Sequence, residues 1–346
     1  MNKYLIALAT ATLFSQSVMA TTEMELPDRQ AELPAHPKTK KVDQLVPRDL
    51  STIPNTPFGA KVKQGYSLFV NSQTLRDKYV GNEQNCVNCH MQAGMKANSA
   101  PLWGAFMAYP AYRSKNDKVN TYGERIQGCF TYSMDGTPPA KDSPELVALS
   151  AYSYWLAMGG LFDQYDMQDR PISELSDAAL QLGGNDPSFI LPVEMKEDLP
   201  AGKRGTLAGR SYPKLDKPEQ GPSIERGEIV YNTTCASCHG ANGEGIKANG
   251  VQSFPPLWGK DSFNWGAGMH RVNTAAFFIY ENMPLGKSIQ IAKQQAWDVA
   301  AFMNSHERPQ DPRFNGDLKA TQEKYHNHQG YYGKTVNGKV IGSNAF

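Results

Sequence analysis

The chain has 346 residues and a nearly balanced charge, with 35 Lys and Arg against 34 Asp and Glu and a formal net charge of +1. A chain of this length corresponds to about two domains, each large enough for a sizeable hydrophobic core. Because the charge is balanced, the composition argues against nucleic acid or an anionic membrane surface as a partner.

The first twenty residues have the pattern of a cleavable export signal. A short basic start precedes an apolar stretch over residues 4–14, and Val18 and Ala20 supply the small side chains that a signal peptidase requires. No later segment is long and apolar enough to span a bilayer. We therefore predict a periplasmic protein without a membrane span, with a signal peptide over residues 1–20. Residues 21–55, which are Pro-rich and polar, are predicted to form an N-terminal arm.

Two Cys-x-x-Cys-His pentads, at residues 86–90 and 235–239, dominate the rest of the sequence. At this chain's own Cys and His frequencies, one such pentad arises by chance on the order of 0.001 times, so two are not accidental. In a c-type cytochrome the two sulfurs attach the porphyrin and the His binds iron. A thioredoxin-like redox pair or a zinc site does not account for the following His in both copies. We therefore predict two covalently bound haem c groups, attached at Cys86 and Cys89 and at Cys235 and Cys238, with His90 and His239 as the proximal iron ligands.

The first pentad lies within an ordered series of predicted elements. Gly65 and Phe69 share one helix face, and the small residue permits a close helix contact. An insertion of about a dozen residues, from Asn71 to Gly81, separates that helix from the pentad. The tetrad Pro-Leu-Trp-Gly follows at residues 101–104. A closing helix is predicted to begin at Pro144 and to end at Gly159.

The second pentad lies in the same series, after a linker over residues 191–222 that contains several prolines and charges. Gly227 and Tyr231 repeat the glycine and aromatic pair, and the tetrad recurs at residues 256–259. The closing helix has apolar residues at i, i+3, i+4 and i+7. These residues are Ala296, Val299, Ala300 and Met303.

This repetition predicts an all-α protein with little strand, built from two class I cytochrome c-like helical domains that each surround one covalent haem. The domains are predicted over residues 56–190 and 223–309, joined by the Pro-rich linker. The remaining residues, 310–346, are polar and Gly-rich and are predicted to form a surface tail. His326 and His328 in this tail could form a metal site, but we favour the simpler prediction that both are solvated.

The distal ligand of the second haem has more than one candidate. Met283 lies 44 residues beyond His239, and Pro284 would hold the chain extended across the haem face. A thioether ligand favours ferrous iron and raises the reduction potential. Met269 and His270 are competing candidates earlier in the same loop, and we favour Met283.

In the first copy, spacing and chemistry favour different distal ligands. The same 44-residue spacing from His90 leads to Met134, whereas Cys129 lies five residues earlier. A thiolate is a stronger donor than a thioether and would lower the potential of that haem. Iron and the nearby Arg125 would both favour the deprotonated sulfur. From the residues alone, the distal ligand of the first haem could be Met134 or Cys129. Cys129 could also be a small buried residue with no role at the iron.

A family resemblance favours Cys129. Tyr-Pro-Ala-Tyr-Arg at 109–113 and the segment 124–136, which contains Arg-Ile-Gln-Gly-Cys, resemble the first domain of periplasmic dihaem thiosulfate dehydrogenases. Asn-Met-Pro-Leu-Gly at 282–286 resembles their second haem domain, where some members have a Lys in place of this Asn. The resemblance covers roughly residues 56–309. It implies that Cys129 is the distal ligand of the first haem and part of the active site, with Arg113, Arg125 and Ser133 as nearby polar groups.

The resemblance also implies a reaction, in which two thiosulfate ions are coupled into tetrathionate and two electrons are released. Two guanidinium groups in a desolvated pocket suit a small dianion, although Arg113 and Arg125 could instead pair with haem propionates. Electrons would leave through the His/Met-ligated haem to an external cytochrome, either soluble or membrane-bound. Two alternatives stay open: a non-enzymatic dihaem electron-transfer cytochrome, and the same active site working mainly as a tetrathionate reductase.

Overall fold

The structure is a computed structural model that describes residues 49–106, 108–161, 212–249, 251–328 and 330–346. Within these ranges helices provide most of the regular structure, and the strands pair into three two-stranded antiparallel hairpins. This agrees with the predicted helical architecture with little strand. The predicted signal peptide, most of the predicted arm, the end of the first predicted domain and most of the linker lie outside the described residues.

In its described residues, the first copy contains six α-helices, one hairpin and several tighter turns. The helices are α1 (Pro57–Val70), α2 (Cys86–Cys89), α3 (Met91–Gly94), α4 (Leu102–Phe106), α5 (Tyr122–Gly128) and α6 (Pro144–Leu161), and the hairpin joins β1 (Ala111–Arg113) to β2 (Lys118–Asn120). Leu50–Thr52 and Ser72–Leu75 are 3₁₀ turns, and Cys129–Ser133 is a π-helical turn.

The second copy and the tail add five helices and two hairpins. The helices are α7 (Ile224–Val230), α8 (Ala236–His239), α9 (Val272–Asn282), α10 (Lys293–Asn304) and α11 (Leu318–Tyr325), and the strands are β3 (Ile246–Ala248), β4 (Val251–Phe254), β5 (Thr335–Val336) and β6 (Lys339–Val340). Tyr231–Cys235 is a π-helical turn and Gly268–His270 is a 3₁₀ turn.

The two copies use the same helix contact. Gly65 of α1 lies against Ala148 of α6, where a Cβ atom on the glycine would come 2.0 Å from the carbonyl oxygen of Ala148. Gly227 of α7 lies in the same way against Asp298 of α10, again with a separation of 2.0 Å. Any larger side chain would push the helices apart. The predicted role of these glycines in close helix packing is therefore confirmed.

Each copy has its own hydrophobic core, and the Trp of each tetrad is buried in it. Trp103 packs in the first core with Phe69 and Tyr152, while Trp258 packs in the second core with Tyr231. The four apolar residues predicted on the closing helix of the second copy are all buried in α10. The periodic pattern of that helix is therefore confirmed.

The closing helix of the first copy runs past its predicted end. Gly159 lies inside α6, which continues to Leu161. A glycine within a helix costs only about 1 kcal/mol relative to alanine. The packing of α6 against α1 and α4 outweighs this cost, so Gly159 does not end the helix.

A buried hydrogen-bond network joins the two copies where the insertion of the first copy ends. Asn82 Nδ2 donates to the carbonyl oxygens of Ser133 at 2.9 Å and Ser262 at 3.0 Å. Gln84 Nε2 donates to the carbonyl oxygen of Pro256, in the tetrad of the second copy, at 2.6 Å. Because these groups are buried, breaking the network would leave unpaired polar atoms. The segment that directly follows the insertion, with Asn82 and Gln84, therefore holds the two copies together.

Both predicted connecting segments pack on the cores at their described ends. Leu50 and Ile53, at the end of the predicted arm, lie against the first core. Leu215, near the end of the predicted linker, lies against the second core, and Trp297 Nε1 donates to the carbonyl oxygen of Asp216 at 3.0 Å. Among the described helices, none is both long and apolar enough to cross a membrane.

The C-terminal tail is folded, and the prediction of solvated histidines in it is wrong. Tyr332 and Ile341 form a small core with Trp265, and all three side chains are buried. His326 is only 4% exposed, and His328 is half-buried. The tail is polar on average, so its composition did not indicate that a few apolar residues pack against Trp265 of the second copy.

Candidate functional site

The two pentads present their histidines in the same way. His90 Nδ1 lies 2.6 Å from the carbonyl oxygen of Ala100, and His239 Nδ1 lies 3.0 Å from that of Pro255. Each carbonyl belongs to the residue just before a Pro-Leu-Trp-Gly tetrad. Because a carbonyl only accepts, Nδ1 carries the proton and the Nε2 lone pair is left for a metal. The recurring tetrad therefore orients both imidazoles for iron.

An apolar cavity of about 360 Å³ lies beside the first pentad. Cys86 and Cys89 line it together with His90 and Cys129, which supply a nitrogen and a sulfur donor. The other lining residues are mostly apolar and include Phe69, Leu102, Ile126, Phe130 and Leu149. Apolar walls suit the faces of a macrocycle, and the donors suit its iron. The residues present therefore fit a haem attached at Cys86 and Cys89.

Cys129 has an environment that stabilises its thiolate. It follows α5 at the start of the π-helical turn, one helical turn after Arg125, whose Nη1 donates to Cys129 Sγ at 2.9 Å. Burial alone would raise the pKa of this thiol, but the charge of Arg125 and the neighbouring His90 lower it to about 6. Cys86 and Cys89 carry the haem as thioethers, so Cys129 is the cysteine of this cavity that can ionise.

Met134, the other candidate ligand, lines the same cavity. Its side chain is 2% exposed and belongs to the first hydrophobic core. The structure thus brings both candidate sulfur atoms to the first cavity, and it gives Cys129 a cationic partner.

A polar pocket of about 330 Å³ adjoins the apolar cavity. Arg113, Arg125 and Ser133 line both spaces, so the three polar residues expected near Cys129 lie together here. Arg113 ends β1, and its Nη1 donates to the Tyr109 hydroxyl at 2.9 Å. A small anion in this pocket would lie beside Cys129 and the apolar cavity.

Two further cations of the pocket were missed by sequence reasoning. Lys115, in the turn between β1 and β2, donates to the carbonyl oxygen of Gly266, and Arg271 is the N-cap of α9. Burial and the surrounding arginines, led by Arg125, lower the pKa of Lys115 to about 7. No local pattern marks either residue, because each becomes a neighbour of Cys129 only through the tertiary fold. With Arg113 and Arg125 they place four cationic side chains around one pocket, an arrangement that suits a dianion.

The second site has a buried His239 whose ring lies edge-on to Phe254. Met283 directly follows α9, is half-buried and has the extended backbone predicted for it, with φ −123° and ψ 147°. The preceding Asn282 is fully buried, and its Oδ1 accepts a hydrogen bond from Lys96 Nζ at 2.8 Å. A histidine and a thioether are both donors that suit haem iron.

The competing ligand candidates of the second haem lie elsewhere. Met269 lines the cavity of the first pentad, on the side formed by the second copy. His270 is buried, with Nδ1 against the carbonyl oxygen of Ala267 and Nε2 directed at the tail histidines.

Two family models match the chain: "Cytochrome c" over residues 224–307 and "SoxA/TsdA, cytochrome c domain" over residues 73–159. The thiosulfate dehydrogenase of Stutzerimonas stutzeri (strain A1501) is 49% identical over 293 residues, which cover 84% of this chain and 82% of that protein. The thiosulfate dehydrogenase of Thiomonas intermedia (strain K12) is 42% identical over 338 residues, covering 97% of this chain and 95% of that protein.

Among solved structures, the chain is similar to the thiosulfate dehydrogenase TsdBA from Marichromatium purpuratum in its as-isolated form, with a TM-score of 0.72 and 39% identity. The match covers 88% of this chain, and the chain spans 59% of the length of that protein. Together with the family models, this match confirms the predicted fold of two cytochrome c-like helical domains. The predicted cofactors are confirmed as well: the chain carries two covalently bound haem c groups.

Proposed function

The chain belongs to the thiosulfate dehydrogenase family, and on that premise we propose that it is a periplasmic dihaem cytochrome that oxidises two thiosulfate ions to tetrathionate. The observation that carries this proposal is the position of Cys129, whose sulfur accepts a hydrogen bond from Arg125 at 2.9 Å, beside a pocket with four cationic side chains. A cytochrome that only transfers electrons needs neither feature. The periplasmic location rests on the export pattern of residues 1–20.

We assign the two haem sites different roles. Cys86, Cys89, His90 and Cys129 would hold the first haem, and Cys235, Cys238, His239 and Met283 would hold the second. The two haems, when bound, take up one electron each. The first domain, over residues 56–190, holds the sulfur chemistry, and the second, over residues 223–309, passes electrons to an external cytochrome.

The Cys129 thiolate and the anion pocket account for the sulfur chemistry. The thiolate bonds the sulfane sulfur of the first thiosulfate with loss of two electrons, which gives a cysteine S-thiosulfonate. A second thiosulfate attacks that sulfane sulfur, forms the central S–S bond of tetrathionate and displaces the thiolate. In balance, two thiosulfate dianions give one tetrathionate dianion and two electrons. No proton is taken up or released in the net reaction.

Charge is the main obstacle to this reaction, because two dianions must meet beside a thiolate. Arg125 contacts the thiolate and also lines the pocket, so its positive charge stabilises both the Cys129 sulfur and a bound thiosulfate. Arg113, Lys115 and Arg271 line the pocket from the β1–β2 hairpin and from the start of α9. Their charges offset the repulsion when the second thiosulfate enters.

The affinity for thiosulfate should fall as the pH rises through 7. In the free enzyme the pKa of Lys115 is about 7, because burial and the neighbouring arginines disfavour its charge. A bound dianion favours the protonated amine, so binding is strongest where Lys115 is already charged, below that pKa, and weakens above it. We expect kcat/KM to fall by up to about tenfold per pH unit on the alkaline side.

The alkaline limb of the pH profile, where kcat/KM falls, is measured from steady-state rates between about pH 6 and pH 9. The electron acceptor in this assay must be insensitive to pH. Lys115→Arg is the matched variant, because a guanidinium stays charged over the whole range. It should remove the alkaline limb while keeping thiosulfate turnover. A limb that persists unchanged in Lys115→Arg would assign the titration to another group.

The proposed activity is tested on the protein with both haems attached, in both directions. Thiosulfate with ferricyanide as the acceptor should yield tetrathionate, with two ferricyanide ions reduced for each tetrathionate formed. Tetrathionate with a low-potential donor measures the reverse reaction. If thiosulfate reduces neither haem nor ferricyanide, the proposal fails, and a much faster reverse reaction would make the protein a tetrathionate reductase.

A further inference from the structure

Three histidines converge at a point outside both haem sites. His270 ends the 3₁₀ turn before α9, whereas His326 and His328 follow α11 in the tail. His270 and His326 are 2% and 4% exposed, and His328 is half-buried. Neither the cavity of the first pentad nor the anion pocket is lined by any of the three. We propose that these histidines bind a divalent transition-metal ion, for which zinc is the best match, and that this ion fastens the tail to the second domain.

Two of the three separations between the ring nitrogens match those of a tetrahedral metal site. His270 Nε2 lies 3.2 Å from His326 Nδ1 and 3.3 Å from His328 Nε2. The three ligand atoms all lie within 4.8 Å of one another. With zinc–nitrogen bonds of 2.0–2.1 Å, two ligands of a tetrahedral site are about 3.3 Å apart. One ion can therefore reach all three nitrogens without a large movement of the rings.

The outer hydrogen bonds fix the tautomers that a metal needs. His270 Nδ1 faces the carbonyl oxygen of Ala267, and His326 Nε2 lies 2.9 Å from Asp311 Oδ2. Both oxygens only accept, so in the neutral rings these two nitrogens carry the protons. The lone pairs of His270 Nε2 and His326 Nδ1 then face each other. These two lone pairs cannot hydrogen-bond to each other, and His328 Nε2, 3.3 Å from His270 Nε2, can donate to that nitrogen alone. A metal ion between the rings satisfies both lone pairs.

Asp311 completes the arrangement found behind metal-bound histidines, in which a carboxylate accepts from the outer ring nitrogen. It is buried and is held in place by Arg313, whose Nη2 lies 2.6 Å from Asp311 Oδ2. The Tyr332 ring stacks on His326 with the centroids 4.1 Å apart. His326 and its carboxylate partner Asp311 are therefore held in place before any ion binds.

An all-imidazole donor set suits zinc, copper or nickel better than magnesium or calcium. Zinc matches the tetrahedral spacing, and three protein ligands leave one position for water. The half-buried His328 gives the site an approach from solvent. Since His270 follows Met269, which lines the first cavity, and precedes Arg271 of the anion pocket, the ion would also hold the loop that carries both residues.

The test uses the protein with both haems attached and zinc as the probe. After equilibration with zinc and removal of the excess, elemental analysis should give one zinc for every two irons. Competition with a chelator of known affinity should show that His328→Ala weakens zinc binding by at least about a hundredfold and Asp311→Asn by about 10–100-fold. His306→Gln is the matched control, because it removes an imidazole that stacks on Trp258 outside the cluster. It should keep the full zinc content.

Two further readouts complement the binding measurements. Zinc should raise the unfolding temperature of the unmodified protein and leave that of His328→Ala unchanged. X-ray absorption at the zinc edge should show imidazole nitrogens at about 2.0–2.1 Å. The proposal is overturned if the unmodified protein binds no zinc, or if His328→Ala binds it with undiminished affinity.

Discussion

Replacing Cys129 with glycine should abolish thiosulfate-dependent reduction while both haems stay attached. The variant loses the nucleophile of the proposed reaction, so we expect turnover to fall on the order of a thousandfold or more. Neither pentad is changed, and glycine can adopt the helical φ of −69° and ψ of −42° found at Cys129 at a cost of about 1 kcal/mol. The measurement is ferricyanide reduction by thiosulfate, with haem content determined for the same sample.

Met134→Leu is the matched control for this experiment. It removes the other candidate sulfur ligand from the same cavity with little change in volume, so the fold should be kept at a cost below about 1.5 kcal/mol. We expect turnover within a few-fold of the unmodified protein. The ferric spectrum should keep its histidine–thiolate signature in Met134→Leu and lose it in Cys129→Gly. Undiminished turnover of Cys129→Gly, or a thiolate signature lost in Met134→Leu, would show that Cys129 has been given the wrong role.

The haem attachments and the duplicated fold were predictable because covalent chemistry demands fixed residues at fixed spacing. The pentads required Cys and His in one order, and the glycines that let the helices approach, Gly65 and Gly227, stood at equivalent places before them. The end of α6 was not predictable from Gly159 alone. There the helix continues because tertiary packing outweighs the local preference of glycine.

The candidate site was predictable only in part. Arg125 and Cys129 lie one turn apart along the same segment, so sequence spacing alone brings them together. Lys115 and Arg271 reach the pocket through contacts between distant segments, which no periodicity records. The same holds for His270 and His326, whose burial depends on Trp265 and Tyr332 rather than on the polar composition of the tail.

Arg125→Gln should lower kcat/KM for thiosulfate by roughly a hundredfold to a thousandfold. Arg125 donates to the sulfur of Cys129 at 2.9 Å, and its charge is what lowers the pKa of that thiol against the effect of burial. It also lines the anion pocket. Glutamine keeps much of the length of the side chain but removes the charge from both interactions. We therefore expect kcat to fall and KM to rise together.

Two further variants distinguish the direct contacts of Arg125 from the effect of removing any positive charge near the pocket. Arg125→Lys keeps the charge but loses the planar fork that can bind sulfur and anion at once, so its loss should be intermediate. Lys118→Gln removes a positive charge from the same hairpin. Lys118 does not line the pocket, and its partner Glu124, which does, keeps Lys141 as a second cationic partner, so kcat/KM should stay within about twofold. If Arg125→Gln behaved like Lys118→Gln, Arg125 would be a structural partner of the haem rather than part of the reaction. The kinetic constants that change also distinguish the two cations. Substitution of Arg125, which touches the nucleophile, should change both kcat and KM, whereas substitution of Lys115, which we expect to act on anion binding, should change mainly KM.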